Sequence, residues 1–480
     1  MRIVAFALLL ALTTPTHASD IRAWREAHEA AIVRELFEFL AIPNVASDEA
    51  NIRRNAAHLV ALMEKRGLAP RLLESPAGGP PAVFGELRTP GATKTLVFYA
   101  HYDGQPVNPA EWRGDPWKPE LREERIYARS ASDDKGPIIA LFAALDALRA
   151  SGRKPAVNLK FFFEGEEEAG SPHLGALLEK HKTLLASDGW IFCDGPVHQS
   201  GAMQVVFGVR GAQSVTLTTF GPARQLHSGH YGNWAPNPIS TLVTLLGSMR
   251  DDDGNIKVAN FLDDVRPLTA RERDAVAKIP APDAELRRTL NLGRSEGGGA
   301  PLAERILAPA LNFTGFQSGS VGGDAVNAIR TEARATIDIR LVPAQTTARV
   351  REQIEAHVRK QGFHIVHERP SPEVLRAHER VVQLDWSDGY TGVRTPLDHP
   401  FAQAVLRAVE KGHGAAPLAT PSLGGSLPLY LFEQILGAPL VIVPTVNSDN
   451  NQHAANENLR LQNLWDAIEV YAALFSEIRY

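Results

Sequence analysis

Residues 157–171 read VNLKFFFEGEEEAGS, an apolar run that ends in an acidic one. Val157–Glu164 predicts a short strand, aromatic and almost continuously apolar, of the kind buried inside a sheet. The segment after it concentrates Glu164, Glu166, Glu167 and Glu168 within five residues. Acidic runs usually lie on solvated surfaces. This one closes a buried strand, and open α/β sheets carry their sites at the carboxyl ends of strands. So much negative charge in one place is costly unless cations offset it.

The text on either side supports the same architecture. Trp24–Leu40 and Ala56–Arg66 carry apolar residues at helical spacing, the second closed by Gly67. Ala82–Leu87 and Thr95–Ala100 predict strands, Gly136–Leu148 and Leu174–Lys182 helices, and Gly189–Cys193 a further apolar strand. This alternation gives an α/β fold, a mostly parallel sheet with helices on both faces. Near Val205 the character changes. Val205–Arg210 and Gln213–Phe220 predict strands, a helix runs from Pro238 to Met249, and 251–299 is polar and irregular. Thr331–Leu341 alternates as a strand and Val350–Gln361 is helical, which suggests a smaller α+β domain. Leu440–Pro444 is an apolar strand suited to rejoin the first sheet. The expected division is therefore a first domain at 19–207 and 394–480, interrupted by an insertion at 208–393.

Residues 1–18 resemble a secretory signal peptide, with Arg2 ahead of the apolar run Ile3–Leu12 and small residues before Ser19. The run is short for a membrane span, and no later stretch approaches that length. The expectation is an exported protein, periplasmic or extracellular, soluble after cleavage. Cys193 is the only cysteine, so no intrachain disulfide forms and the core alone must hold the 480 residues together. A net charge of -5 gives no reason to expect nucleic acid or an anionic membrane as a partner.

Five candidate ligands stand far apart: His101 in FYAHYDG, Asp133 in ASDDKG, Glu168 in EGEEEAGS, Asp194 in IFCDG and His453 in NNQHAANEN. Two imidazoles and three carboxylates suit a pair of divalent cations of the zinc type. With Glu167 adjoining Glu168, the set reads as a hydrolase that activates water between two metals. Strand spacing places Asp103 on the face of His101, where a carboxylate can fix the ring's tautomer. Asp133 lies just before a helix, at a favourable place for an anionic ligand.

Together these segments resemble the carnosinase-like branch of the di-zinc exopeptidases and deacylases. That family also holds glutamate carboxypeptidase, acetylornithine deacetylase and succinyl-diaminopimelate desuccinylase. The resemblance covers almost the whole chain after residue 18. It implies a zinc-exopeptidase fold whose inserted domain serves as lid and dimerisation surface. It implies two zinc ions, with manganese or cobalt as alternatives: His101 and Asp194 on one, Glu168 and His453 on the other, Asp133 bridging through a segment whose Asp133–Asp134 peptide is cis. Glu167 would be the general base and Asp103 the carboxylate behind His101. His227, in the LHSG segment 226–229, would reach across a homodimer to stabilise the oxyanion. Arg340 would grip a substrate carboxylate, with Gly425 and Ser426 in a substrate loop and Asn327 on the substrate side. Many relatives carry Pro after the Asn-x-Ile triplet, whereas Asn327-Ala328-Ile329 is followed here by Arg330.

The implied activity is that of a metallo-exopeptidase acting on dipeptides or short peptides with a free C-terminal carboxylate. An N-acyl amino-acid deacylase with the same site is the alternative, and export favours the peptidase. A binding protein that keeps the fold without catalysis is a third reading. The presence of all five ligands and Glu167 speaks against it.

Overall fold

The computed structural model describes residues 17–425 and 427–480. The signal-peptide expectation, apart from residues 17 and 18, lies outside the described residues, as does Ser426. The chain forms two compact units, one of residues up to Val205 with Gln403–Pro417 and Ile442–Tyr480, the other of Val206–Ala402 with Leu418–Val441.

In the first unit five strands lie side by side in the order Arg71–Leu73, Ala82–Leu87, Asn158–Glu164, Thr95–His101 and Gly189–Phe192. Thr95–His101 runs parallel to both of its neighbours. The two strands toward the Arg71 edge are antiparallel. Beyond Phe192, whose carbonyl accepts from the Val443 N–H, the chain returning from Leu440–Ile442 continues the sheet. Val157–Glu164 is thus a central strand, as its composition predicts, beginning one residue later.

Alternation sorts its aromatic side chains. Phe161 and Phe163, with Phe98, face Phe142 of helix Lys135–Ala150 and Phe475 of helix Leu461–Glu477, with ring centroids 4.9–6.4 Å apart. Phe162 faces the other way, with Tyr99, Trp190 and Phe192. On that second face Lys160 reaches the carbonyls of Leu184 and Ala186 at the end of helix Leu174–Leu185. Helices therefore cover both faces. Each buried aromatic contributes on the order of 2–3 kcal/mol through area removed from water. Helix His17–Leu40 packs beside Lys135–Ala150, and its C-terminal carbonyls at Phe39, together with Ile42, accept from the buried Lys135 ammonium. A cation at a helix C-terminus is favourable for the dipole.

The second unit holds a five-stranded sheet in the order Ala310–Gln317, Glu332–Leu341, Gly211–Phe220, Val381–Trp386 and His364–Val366, antiparallel except for the last pair. Glu332–Leu341 alternates buried and open along its length. Its inner residues pack with Leu242, Leu245 and Met249 of helix Pro238–Met249 and with Val350, Ile354 and Val358 of helix Thr347–Lys360.

The expectations differ from the structure in several places. Strands Ala310–Gln317, His364–Val366 and Val381–Trp386 are not among the expected elements. The stretch 251–299 is not wholly irregular: it contains helices Ala270–Lys278 and Asp283–Thr289. The strand expected at Val205–Arg210 is broken into Gln204–Val206 and Gly208–Val209, and the next one starts at Gly211. Helix Glu49–Lys65 begins seven residues before the expected Ala56, capped by Asp48, whose side chain accepts from the Asn51 N–H. Among the described residues no helix is long and apolar enough to cross a membrane.

Candidate metal centre

Three neighbouring strand ends in the first unit deliver the central residues. His101 closes Thr95–His101, the Glu166–Glu168 turn follows Asn158–Glu164, and Asp194 follows Gly189–Phe192. Asp133 stands two residues before helix Lys135–Ala150; the N-cap position falls to Asp134, whose side chain makes no cap hydrogen bond. The Asp133–Asp134 peptide is cis. His453 comes from the loop that precedes strand Asn458–Arg460, and that strand pairs with Arg125–Tyr127 just upstream of Asp133.

The five side chains form two triads that share one member: His101, Asp133 and Asp194 in one, Asp133, Glu168 and His453 in the other. Asp133 presents one oxygen to each. Its Oδ1 lies 2.9 Å from His101 Nε2 and its Oδ2 lies 3.2 Å from His453 Nε2. His101 Nε2 is 3.9 Å from Asp194 Oδ2, and His453 Nε2 is 3.1 Å from Glu168 Oε2. Asp103 lies behind His101, its Oδ1 3.3 Å from Nδ1. The same carboxylate accepts the backbone N–H groups of Glu167 (3.1 Å) and Glu168 (3.0 Å). One buried side chain thus sets both the imidazole and the acidic turn.

The acidic run divides by direction. Glu164 accepts from the buried Tyr99 hydroxyl at 2.7 Å, and Glu166 is taken by the His173 N–H and ring nitrogen, both at 2.8 Å. Only Glu167 and Glu168 turn toward the cluster.

Electrostatics register the crowding. Burial, and then the charges of Asp133 and Glu168, push the Asp194 carboxyl up to about 7. Burial pushes Glu167 well above the usual carboxylate range, with Asp194, Glu168 and Asp133 adding to it. Hydrogen bonds with Asp133 and Glu168 raise His453 to about 10. Asp133, although buried, is held below its ordinary value by hydrogen bonds with His101 and His453. Protons thus offset an excess of negative charge. The donor set is one that divalent cations would offset: two imidazole nitrogens and three carboxylates, with the central one facing both groups.

Residues 97–477 match peptidase family M20/M25/M40. The chain belongs to this family. It is 28% identical over 408 residues to the human Beta-Ala-His dipeptidase, which covers 83% of this chain and 78% of that protein. Among solved structures it is similar to the M20 family metallo-carboxypeptidase Sso-CP2 from Sulfolobus solfataricus, with TM-score 0.77 and 30% identity across 93% of this chain and 99% of that one. It is also similar to human carnosine dipeptidase 1, with TM-score 0.74 and 25% identity across 97% and 99%. The carnosinase-like resemblance and the α/β fold are both borne out. As a family member the chain is an enzyme, a hydrolase of the metallopeptidase class.

Three neighbours of the cluster were not singled out from the sequence. Gln105 donates to Glu168 Oε2 at 2.8 Å and Gln452 to Asp133 Oδ2 at 3.1 Å. Glu457 is fully buried and accepts from the backbone N–H of Ser130, Ser132 and Asp133, from the Ser132 hydroxyl and from Arg129. It lies in the same NNQHAANEN segment as His453, and a lone Glu in polar loop text gives no sign of burial.

The remaining expected residues belong to the second unit. His227 sits on the two-residue strand Leu226–His227, paired with Ala328–Ile329, and is exposed. Its Nδ1 accepts from the Gly229 N–H. Asn327 is exposed and its carbonyl accepts from the Ser228 N–H, so these two segments are brought together. Arg340 lies on strand Glu332–Leu341 with Nε 3.0 Å from Asp338 Oδ2. Gly425 is exposed, and the carbonyl of Gly424 accepts from Arg210.

Proposed function

We propose that this chain is an exported di-zinc dipeptidase that hydrolyses dipeptides or short peptides with a free C-terminal carboxylate. The observation that carries the reading is Asp133 shared between two ligand triads, with Glu167 beside them. His101, Asp194 and Asp133 would hold one cation, and Glu168, His453 and Asp133 the other. Such cations, when bound, supply Lewis acidity: they polarise a carbonyl and lower the pKa of water.

The chain's own groups carry the protons. Glu167 takes a proton from the attacking water and passes it to the leaving amine. Burial raises its pKa, which makes it a stronger base toward water than an ordinary carboxylate. Asp103 holds the Glu167 backbone in place and orients His101. Arg340, with a planar fork of donors, pairs with the substrate's α-carboxylate. Asn327 and the Gly425–Ser426 loop complete the substrate contacts. His227 of the partner subunit stabilises the oxyanion in a homodimer. Support for that dimer comes from the apolar side chains Trp234, Val321 and Val326, all exposed in the same unit as His227. The human relative's name, Beta-Ala-His dipeptidase, favours a peptide over an acylated amino acid.

One set of assays on the purified protein tests the reading. Metal analysis should find about two divalent ions per chain, and free dipeptides should be turned over faster than N-acyl amino acids. Glu167→Gln should keep its metal and lose about 10²–10⁴ in kcat. Inactive His227→Ala and Asp133→Ala chains should regain activity when mixed. Preference for acylated amino acids would favour the deacylase instead. An active metal-free protein would overturn the mechanism, and no regain on mixing would remove His227 from a role across the dimer. Amino-terminal sequencing of exported protein should begin at Ser19; an uncleaved amino terminus would contradict export by a signal peptide.

A further inference from the structure

A cavity of about 270 Å³ opens in the second unit, walled by the segments around Arg250, Glu296 and Arg305 and by the start of strand Ala310–Gln317. Its position on the sheet relates it to Arg340. Ala310 pairs with Arg340, and Asn312 pairs with Asp338, the residue that holds the Arg340 guanidinium. Directly paired residues point to the same side of a sheet, about 5 Å apart. Ala310 and Asn312 of the cavity wall therefore lie one strand away on the Arg340 side, while Leu311, paired with Ile339, faces the other side of the sheet.

The charges in and around the cavity are unequal. Arg250 is paired with Glu296 at 2.7 Å. Asp283 accepts the Leu302 N–H at 2.8 Å and so faces the start of a short helix. Arg210 holds the Gly424 carbonyl through Nε and Nη2, at 3.2 and 3.0 Å. Burial and then the positive charge of Arg340 depress its pKa, so the two cations stand close enough to repel. The Arg305 backbone is hydrogen-bonded to Pro301 and Ala308, but its guanidinium has no hydrogen-bond or ion-pair partner among the described residues. Gly297, at φ +72°, makes room for it: a Cβ there would collide with Arg305 Nε. Counting Arg340 with Asp338, four guanidiniums face three carboxylates.

We infer that this cavity is the pocket for the side chain of the substrate's C-terminal residue, and that it selects a side chain carrying a carboxylate, with Arg305 as its principal partner. The inference rests on the dipeptidase reading, in which Arg340 grips the α-carboxylate. A glutamyl or aspartyl side chain leaving the α-carbon has the reach to span the single strand spacing from Arg340 to the cavity. Arginine presents two donors in the plane that a carboxylate needs, and a neutral isostere loses the charge-assisted part of that contact.

The test compares Ala-Glu, Ala-Gln and Ala-Lys as substrates of the full-length metal-loaded protein. Ala-Glu should exceed Ala-Gln in kcat/KM by about tenfold or more. In Arg305→Gln that ratio should fall toward one, and in Arg305→Glu the order of Ala-Lys and Ala-Glu should invert. Turnover of Ala-Glu and Ala-Gln at equal rates, or a ratio unchanged in Arg305→Gln, would overturn the pocket assignment and leave the dipeptidase reading standing. No turnover of any of the three would overturn both.

Discussion

At the scale of single residues, Glu457 matters as much as any proposed ligand, although it belongs to neither triad. Its two oxygens accept the N–H groups of Ser130, Ser132 and Asp133 and the Ser132 hydroxyl, and its charge is paired with Arg129 at 2.8 Å with both side chains almost fully buried. The loop it holds ends in Asp133. Glu457→Gln puts an amide NH2 where N–H donors converge and strips Arg129 of its counter-charge. Breaking one side of a buried pair costs about 3–5 kcal/mol. The variant should unfold at a clearly lower temperature and bind metal more weakly; an unchanged melting curve would show that the loop stands without it. Four of the five proposed ligands were legible because each stands at or just past the end of an apolar strand or beside a helix start; His453, in a polar loop, stood out only in their company. Glu457 was not legible, because its partners are backbone groups 324–327 residues away, which no local pattern encodes. The split between Glu166 and its neighbours was equally hidden, since it depends on where His173 falls.

At the scale of elements, helix Ala270–Lys278 shows what a polar stretch can conceal. Thr269 accepts from the Glu272 N–H, and the Glu272 side chain reaches back to the Thr269 N–H, a reciprocal capping box. Glu272 also meets Arg266 and Arg394 and is almost fully buried. The T-x-x-E spacing at 269–272 was readable, yet the helix is short and its apolar face narrow, so composition pointed to a loop. Thr269→Ala should cost about 1 kcal/mol, seen as a small drop in melting temperature. A drop no larger than that of an exposed control such as Thr289→Ala would argue that the cap contributes nothing. Strand Ala310–Gln317 was missed for a different reason. A bulge between Phe313 and Gly315 breaks its alternation, and its outer half is exposed, so neither a period of two nor an apolar run marks it. The strands of the first unit, covered on both faces, had no such ambiguity.

At the scale of the whole molecule, protons and cations compete for one cluster. In metal-free protein His453 is raised from 6.5 to about 10, so the stability it contributes is full below pH 6.5 and is lost as pH climbs through 10. Asp194 is raised from 3.8 to about 7, so the folded state binds the extra proton and loses stability as pH rises through that range. Glu167 moves in the same direction. Asp133, held low, titrates below this window. Metal-free protein should therefore melt at lower temperature at pH 9 than at pH 6. Bound cations displace these protons and bind more tightly as pH rises. The gap in melting temperature between zinc-loaded and chelator-treated samples should widen from pH 6 to pH 9. A gap that narrows would contradict the proposed ligand protonation.

The pairing of Asn458–Arg460 with Arg125–Tyr127 has a consequence for biosynthesis. Four of the five proposed ligands leave the ribosome by residue 194, and the fifth comes 259 residues later, after the whole second unit. A chain halted anywhere in that interval owns His101, Asp133 and Asp194 but lacks the imidazole of the other triad. Its fragment would also lack Glu457, and so the clamp on the loop that ends in Asp133. Under the proposed two-ion reading, the second triad would gain its full ligand set only once synthesis has passed His453.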